Sequence, residues 1–156
     1  MTLKNELGFI TPFKNRAHET LLNIVITGAL LVKEGQHILK PLGLTDAQFN
    51  ILMLLKYQSD KGRINQTKIG RMLLVNRSNV TGLIDRMEKA ALVRRTADVG
   101  DRRVHMIEMT GKGRDLLDRS ERVYYKRIEE VMSHLSSEQL DQLIQNLETA
   151  RERLKV

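Results

Sequence analysis

Apolar residues recur at helical spacing along most of the chain and switch to two-residue alternation near residue 100. Residues 1–12 are mixed, with Gly8 and Pro12 as punctuation, so an irregular or short helical lead is expected there. From Phe13 to about Lys40 the pattern is helical, on Leu21, Leu22, Val25, Leu30, Leu31, Ile38 and Leu39. Pro41 should end this helix, because proline disfavours the α conformation in the residue before it, and Gly43 supplies a turn. The sequence Thr45-Asp46-Ala47-Gln48 then reads as a capping box for a second helix reaching about Gln58. Phe49, Ile51, Leu52, Leu54 and Leu55 leave that helix little polar face, so it should be central to the core.

Residues 59–63 read as a polar loop. Asn65 can cap a short helix over about 66–73, with Ile69, Met72 and Leu73 on one face. Leu74 to Asn76 reads as a turn. The next helix covers about 77–90, capped by Asn76 or Ser78, with Val80, Leu83, Ile84 and Met87 at i, i+3, i+4, i+7. Strands are expected over 92–96 and 103–109, joined by a charged loop containing Gly100, with His105, Ile107 and Met109 sharing a face. Thr110 can cap a long helix to about His134, and a second capping box at 136–139 opens a last helix with Leu140, Leu143, Ile144, Leu147 and Leu154 on one stripe.

Two short helices, a tight turn and a hairpin, in that order, make a winged helix-turn-helix. The expected fold is therefore mainly α with a small β-hairpin wing. The expected DNA-binding domain is 43–110, and 1–42 with 111–156 form a helical dimerisation region. A length of 156 residues suits one domain, or one domain with such an arm.

Charge sharpens this picture. Between Lys61 and Arg114 the chain carries 13 Lys and Arg against 5 Asp and Glu, an excess of +8, whereas the whole chain is +7. A basic excess confined to one module points to a polyanionic partner. Aromatic content of 4% without Trp leaves few stacking platforms and argues against single-stranded nucleic acid. With no Cys, disulfides, thiol redox sensing and Cys-ligated metal sites are excluded, which suits a cytoplasmic location. The most apolar run, Leu21 to Val32, is shorter than the ~20 residues a membrane span needs and reads as a buried helix. Residues 1–15 show no signal-peptide pattern.

A helix that enters a major groove packs one face inward and turns small polar or basic groups toward bases and phosphates. The helix over 77–90 has Arg77, Ser78, Asn79, Thr81, Gly82 and Arg86 away from its apolar stripe. Arg can bind guanine O6 and N7 bidentately, Asn can read adenine, and Thr can touch a thymine methyl. Gly82 removes a side chain where a backbone could come close. In the loop Asp98-Val99-Gly100-Asp101-Arg102-Arg103, a carboxylate can hold a guanidinium ready for a narrow minor groove. Arg94 and Arg95 stand at the base of the wing, one expected to contact phosphate and one to brace the loop.

These residues resemble the MarR (multiple antibiotic resistance regulator) family of winged helix-turn-helix repressors. The likeness rests on Leu44-Thr45-x-x-Gln48, on Asn79-Val80-Thr81-x-Leu83-x-Asp85-Arg86-Met87-Glu88, and on Leu92-Val93-x-Arg95. Asp98-x-x-Asp101-Arg102-Arg103 followed by Met109-Thr110-x-x-Gly113 completes it. The resemblance spans about residues 10–150 and implies a homodimer built from the first and the last two helices. It implies recognition helices in successive major grooves of a pseudo-palindrome, with double-stranded DNA as partner. It further implies release from DNA when a small aromatic or phenolic inducer binds between dimer arm and DNA-binding lobe. Two departures stand out. Thiol-sensing members need a cysteine that this chain lacks, and His105 takes a strand position that is usually apolar.

Other functions find less support. His18, His37, His105 and His134 include no pair at i, i+3 or i, i+4, so no local metal site is expected. No cofactor is expected either. Catalysis lacks a phosphate-cradling loop, a nucleophile elbow and an HExxH motif. The seven Met fall mostly on apolar stripes and read as core filler. Tyr124 and Tyr125 are placed where an inducer could stack, but core packing accounts for them equally. An architectural protein binding duplex with little sequence preference is the alternative; Asn79, Thr81 and Arg86, which suit base edges, argue against it. A protein-interaction module would not need the basic block.

Overall fold

The computed structural model describes residues 2–59, 62–73, 77–98 and 104–154, with the backbone alone at Arg77 and Ser78. Its helices are α1 (Leu3–Glu6), α2 (Arg16–Leu39), α3 (Asp46–Tyr57), α4 (Gln66–Met72), α5 (Arg77–Lys89), α6 (Gly111–Met132) and α7 (Ser137–Glu152). Its strands are β1 (Arg63–Asn65), β2 (Val93–Ala97) and β3 (His105–Met109). The chain divides into two compact units, Met1–Ser120 and Glu121–Val156, so the division falls within α6.

Helix starts follow the side chains that cap them. Asn15 accepts from the Ala17 and His18 amides at the head of α2. Thr45 and Gln48 form the expected reciprocal capping box on α3, and Ser136 with Gln139 forms the one on α7. Asn65 accepts from the Thr67 amide at 2.7 Å. The stop at Pro41 works differently from expectation. Lys40 stays in the right-handed helical region, and Pro41 lies in a 3₁₀ turn over Lys40–Leu42, where its missing N–H costs nothing. Gly43, at φ +74°, makes the actual break.

The sheet has a strand that periodicity did not reveal. Residues 63–65, expected to belong to a loop and a cap, pair antiparallel with β3, giving the order β1-β3-β2. Three residues are too few to show alternation. Ile64 and Arg95 both lie opposite Ile107, on opposite sides of β3, so the three share one face of the sheet. Ile64, Val93 and Ile107 are buried there with Phe49, Ile51, Leu52 and Leu55 of α3 and Ile69 of α4. Val80, Leu83, Ile84 and Met87 of α5 are buried as their spacing predicts. Met72 is exposed, so α4 packs on Ile69 rather than on its whole expected stripe.

The motif Thr110-x-x-Gly113 ties α6 to this core. The Thr110 hydroxyl accepts from the Gly113 amide at 3.0 Å and donates to the Ala91 carbonyl at 2.6 Å. A Cβ at Gly113 would collide with the Leu92 carbonyl oxygen, so only glycine fits this close approach. The turn it grips is strained. Ala91 takes φ +57° as the Leu92 amide bonds back to Met87 O at 2.9 Å, the closing bond of a Schellman-type helix end.

The run Leu21–Val32, expected to be buried, is largely exposed: Leu21, Ile24, Val25, Leu30 and Val32 are each more than 40% accessible. In α7, Leu143 and Ile144 are likewise exposed. Nothing within one protomer covers these faces among the described residues.

Candidate nucleic-acid interface

Helix α5 is held by its buried stripe, which leaves Asn79, Thr81 and Arg86 exposed on the outside and Gly82 half-buried. Around Gly82, among the described side chains, the one nearby atom is Nη1 of Arg86, 3.6 Å from where a Cβ would be, so the helix is open on this side. Asn79 and Arg86 border an open cleft of about 430 Å³, shared with Thr45, Asp46, Asn50 and Leu73. Arg77 and Ser78 lie at the N-terminus of α5, but their side chains are outside the described residues. So are Leu74 to Asn76 and the wing residues Asp101, Arg102 and Arg103.

The two arginines at the wing base separate by strand alternation. Arg94 faces away from the core. It bonds Glu108 of β3 at 2.7 Å, and Glu108 also meets Arg63 of β1 at 3.7 Å, yet the Arg94 side chain remains 68% exposed. Arg95 points the other way, toward α5. Its guanidinium reaches Asp85 at 2.5 Å and Glu88 at 2.6 Å, and its Nε approaches the Gln66 amide oxygen at 3.5 Å. Its backbone N–H donates to the second Glu88 oxygen at 2.8 Å. Arg95 is thus a brace for α5, while the wing loop over 99–103 that one of the two arginines was expected to brace lies outside the described residues. Asp85 and Glu88 are one turn apart and face the sheet together, so one planar fork spans both.

Electrostatics agree with this geometry. The Arg95 backbone N–H, with help from its guanidinium, holds the Glu88 carboxyl below the usual carboxylate range against the opposing effect of burial. For Arg95, burial alone would lower the pKa, but hydrogen bonds to Asp85 and Glu88 outweigh it and raise the pKa. A carboxylate with a depressed folded-state pKa stabilises the fold at pH above its unfolded value of ~4.3, and that contribution disappears as pH falls through the folded value. The Glu88–Arg95 contact is thus fully formed at neutral pH.

Gln66 extends the network. Its amide nitrogen donates to the Thr81 hydroxyl at 2.9 Å while its oxygen faces Arg95. Sequence reading singled out Thr81 and Arg95 but missed Gln66, Asp85 and Glu88 as partners. The signal for the carboxylates was available: two acids at i, i+3 in a basic module, between an apolar stripe and a polar face. Gln66 carried no such signal, because its role depends on how α4 meets α5.

Among the described residues no group of three or more His, Asp and Glu is placed to hold a metal ion. No described helix is long and apolar enough to cross a membrane.

Comparison with known proteins bears on the same region. The model of the MarR family matches residues 44–105, which run from the cap of α3 into β3. The HTH-type transcriptional repressor YetL of Bacillus subtilis (strain 168) is 30% identical over 121 residues, 78% of this chain and 72% of that protein. Among solved structures, Sco3205 of Streptomyces coelicolor, a MarR family regulator in complex with DNA, superposes with a TM-score of 0.82 at 22% identity, covering 94% of each chain. CouR of Rhodococcus jostii RHA1, bound to p-coumaroyl-CoA, superposes with a TM-score of 0.77 at 22% identity, covering 88% of this chain and 95% of that one.

Proposed function

Since this chain belongs to the MarR family of DNA-binding transcriptional regulators, we propose that it is a ligand-responsive repressor that binds a pseudo-palindromic duplex operator as a homodimer. The observation that carries this reading is the outer face of α5. Asn79, Thr81 and Arg86 are exposed on a helix whose other face is fully committed to the core, within the block that holds the basic excess. Arg77, Ser78, Asn79, Thr81, Gly82 and Arg86 take the major groove, with Asn79 and Arg86 offering bidentate groups to purine edges. Arg94 meets phosphate from the exposed side of β2. Arg102 and Arg103, steadied by Asp101, reach the adjacent minor groove. Arg95 acts from inside the fold.

Exposed apolar residues on α2 and, separately, on α7 supply the dimer contact, since large apolar side chains left open in this number mark an interaction site. Dimerisation sets the two α5 helices one helical turn of DNA apart, ~34–36 Å. A small aromatic ligand then needs only to prefer a dimer with the wrong spacing. A differential affinity of ~1–3 kcal/mol gives roughly 5–150-fold de-repression. The aromatic acyl-CoA bound to CouR supports this ligand class.

Fluorescence anisotropy with duplex from upstream of the protein's own gene, against a scrambled duplex at two salt concentrations, tests the proposal. A preference of ~10³ or more is expected. Equal and steeply salt-dependent binding to both would instead make it an architectural protein.

A further inference from the structure

We propose that Arg95 and Gln66 are positioning residues for DNA recognition: they set the pitch and roll of α5, and the orientation of Thr81, without touching DNA. The inference rests on the DNA-binding reading above and goes beyond it in assigning these two residues to operator discrimination rather than to attraction. Four observations converge. The Arg95 side chain is only 22% exposed, and its guanidinium is shared between Asp85 and Glu88 of α5. Its backbone N–H bonds Glu88 as well, so β2 and α5 are locked at two points. Gln66 uses both ends of its amide, one toward Arg95 and one on Thr81. The five residues join three elements: Arg95 on β2, Gln66 at the first residue of α4, and Thr81, Asp85 and Glu88 on α5.

The consequence follows from the geometry of recognition. A base contact depends on angles and distances to fixed edges, whereas a phosphate contact tolerates small movements. Loosening α5 therefore removes discrimination and leaves electrostatic binding in place. Lysine at position 95 keeps the charge but is a point donor, unable to span two carboxylates as a planar fork does. Gln66→Ala is neutral and removes the bridge alone.

The test measures affinity of Arg95→Lys and Gln66→Ala for a duplex selected by the wild-type protein from a random pool, and for a scrambled duplex, across a salt series. Arg94→Ala serves as the phosphate-contact comparison. For both positioning variants, operator affinity should fall roughly tenfold or more, scrambled-duplex affinity should stay within about threefold, and the slope of log K against log salt should not change. Arg94→Ala should lower that slope by about 1. A changed slope, or equal loss on both duplexes, would make Arg95 a phosphate contact and overturn the proposal. Unchanged operator affinity would overturn it too. Amide hydrogen exchange without DNA gives an independent reading. Arg95→Lys should speed exchange in α5 while leaving α3 as it was, and equal protection in α5 contradicts the clamp. If the wild type selects no duplex, the repressor reading fails, and the exchange result alone decides the clamp.

Discussion

Helices α3 and α7 begin alike and end up in opposite circumstances. Each opens on a capping box of a hydroxyl residue and a glutamine three positions on, and each carries a stripe of Leu and Ile. Yet α3 buries Phe49, Ile51, Leu52 and Leu55, whereas α7 buries nothing within the protomer. The local chemistry decides where a helix starts. What covers its apolar face is decided by packing, and on the function proposed above the cover for α7 is a second copy of the chain. The same contrast exists inside α2, whose C-terminal end buries Gly35 and Leu39 while residues 21–32 stay largely exposed.

The contrast can be broken at either end. Leu52→Ala should lower the unfolding free energy by ~2–5 kcal/mol, because the fully enclosed site cannot collapse onto the lost atoms. Ile144→Ala, at a 54% exposed site, should leave the unfolding of isolated protomers within ~0.5 kcal/mol and raise the dimer dissociation constant instead. Chemical denaturation at low protein concentration and sedimentation equilibrium separate the two effects. Removing residues 136–156 should yield monomers or aggregate; a stable dimer by light scattering would move the interface away from α7.

Smaller changes sharpen the comparison. Arg102→Ala should weaken operator binding at least tenfold, or ~1.4 kcal/mol, with the dimer intact. Unchanged affinity at fixed salt would remove the wing from the interface. Thr45→Ala and Ser136→Ala delete equivalent caps. Each should cost the helix it heads ~1 kcal/mol, but only Thr45→Ala should lower the stability of the DNA-binding core by that amount.

Much of the fold was legible because single residues announce it. Thr45, Asn65, Thr110 and Ser136 mark helix starts, and the i, i+3, i+4, i+7 spacing in α5 assigns its faces. Strand β1 was not legible, because its pairing with β3 is a long-range fact about a segment too short to alternate. The burial of residues 21–32 was misjudged for a related reason. Hydrophobicity shows that a face must be covered, and it does not show whether the same chain covers it. At the candidate interface, Asn79, Thr81 and Arg86 stand on the exposed side of α5 as their spacing requires. Arg94 and Arg95 were legible as a pair with two roles but not which took which, since Asp85 and Glu88 come within reach of Arg95 only when β2 turns back along α5 at Ala91. The Gly113 contact gives a physical cause for a motif that the family resemblance identified without one.

On the proposed function, two copies of α5 act together at a spacing fixed by the dimer. The most direct test changes that spacing in the DNA. With a selected operator in hand, five base pairs are inserted between the half-sites, which rotates one half-site by about half a turn. Binding is then measured at fixed salt. A rigid dimer with paired recognition helices should lose most of its specificity, falling by ~10³ toward scrambled-duplex affinity. Affinity unchanged by the insertion would mean that each protomer reads DNA alone, and the account of a dimeric repressor would be contradicted.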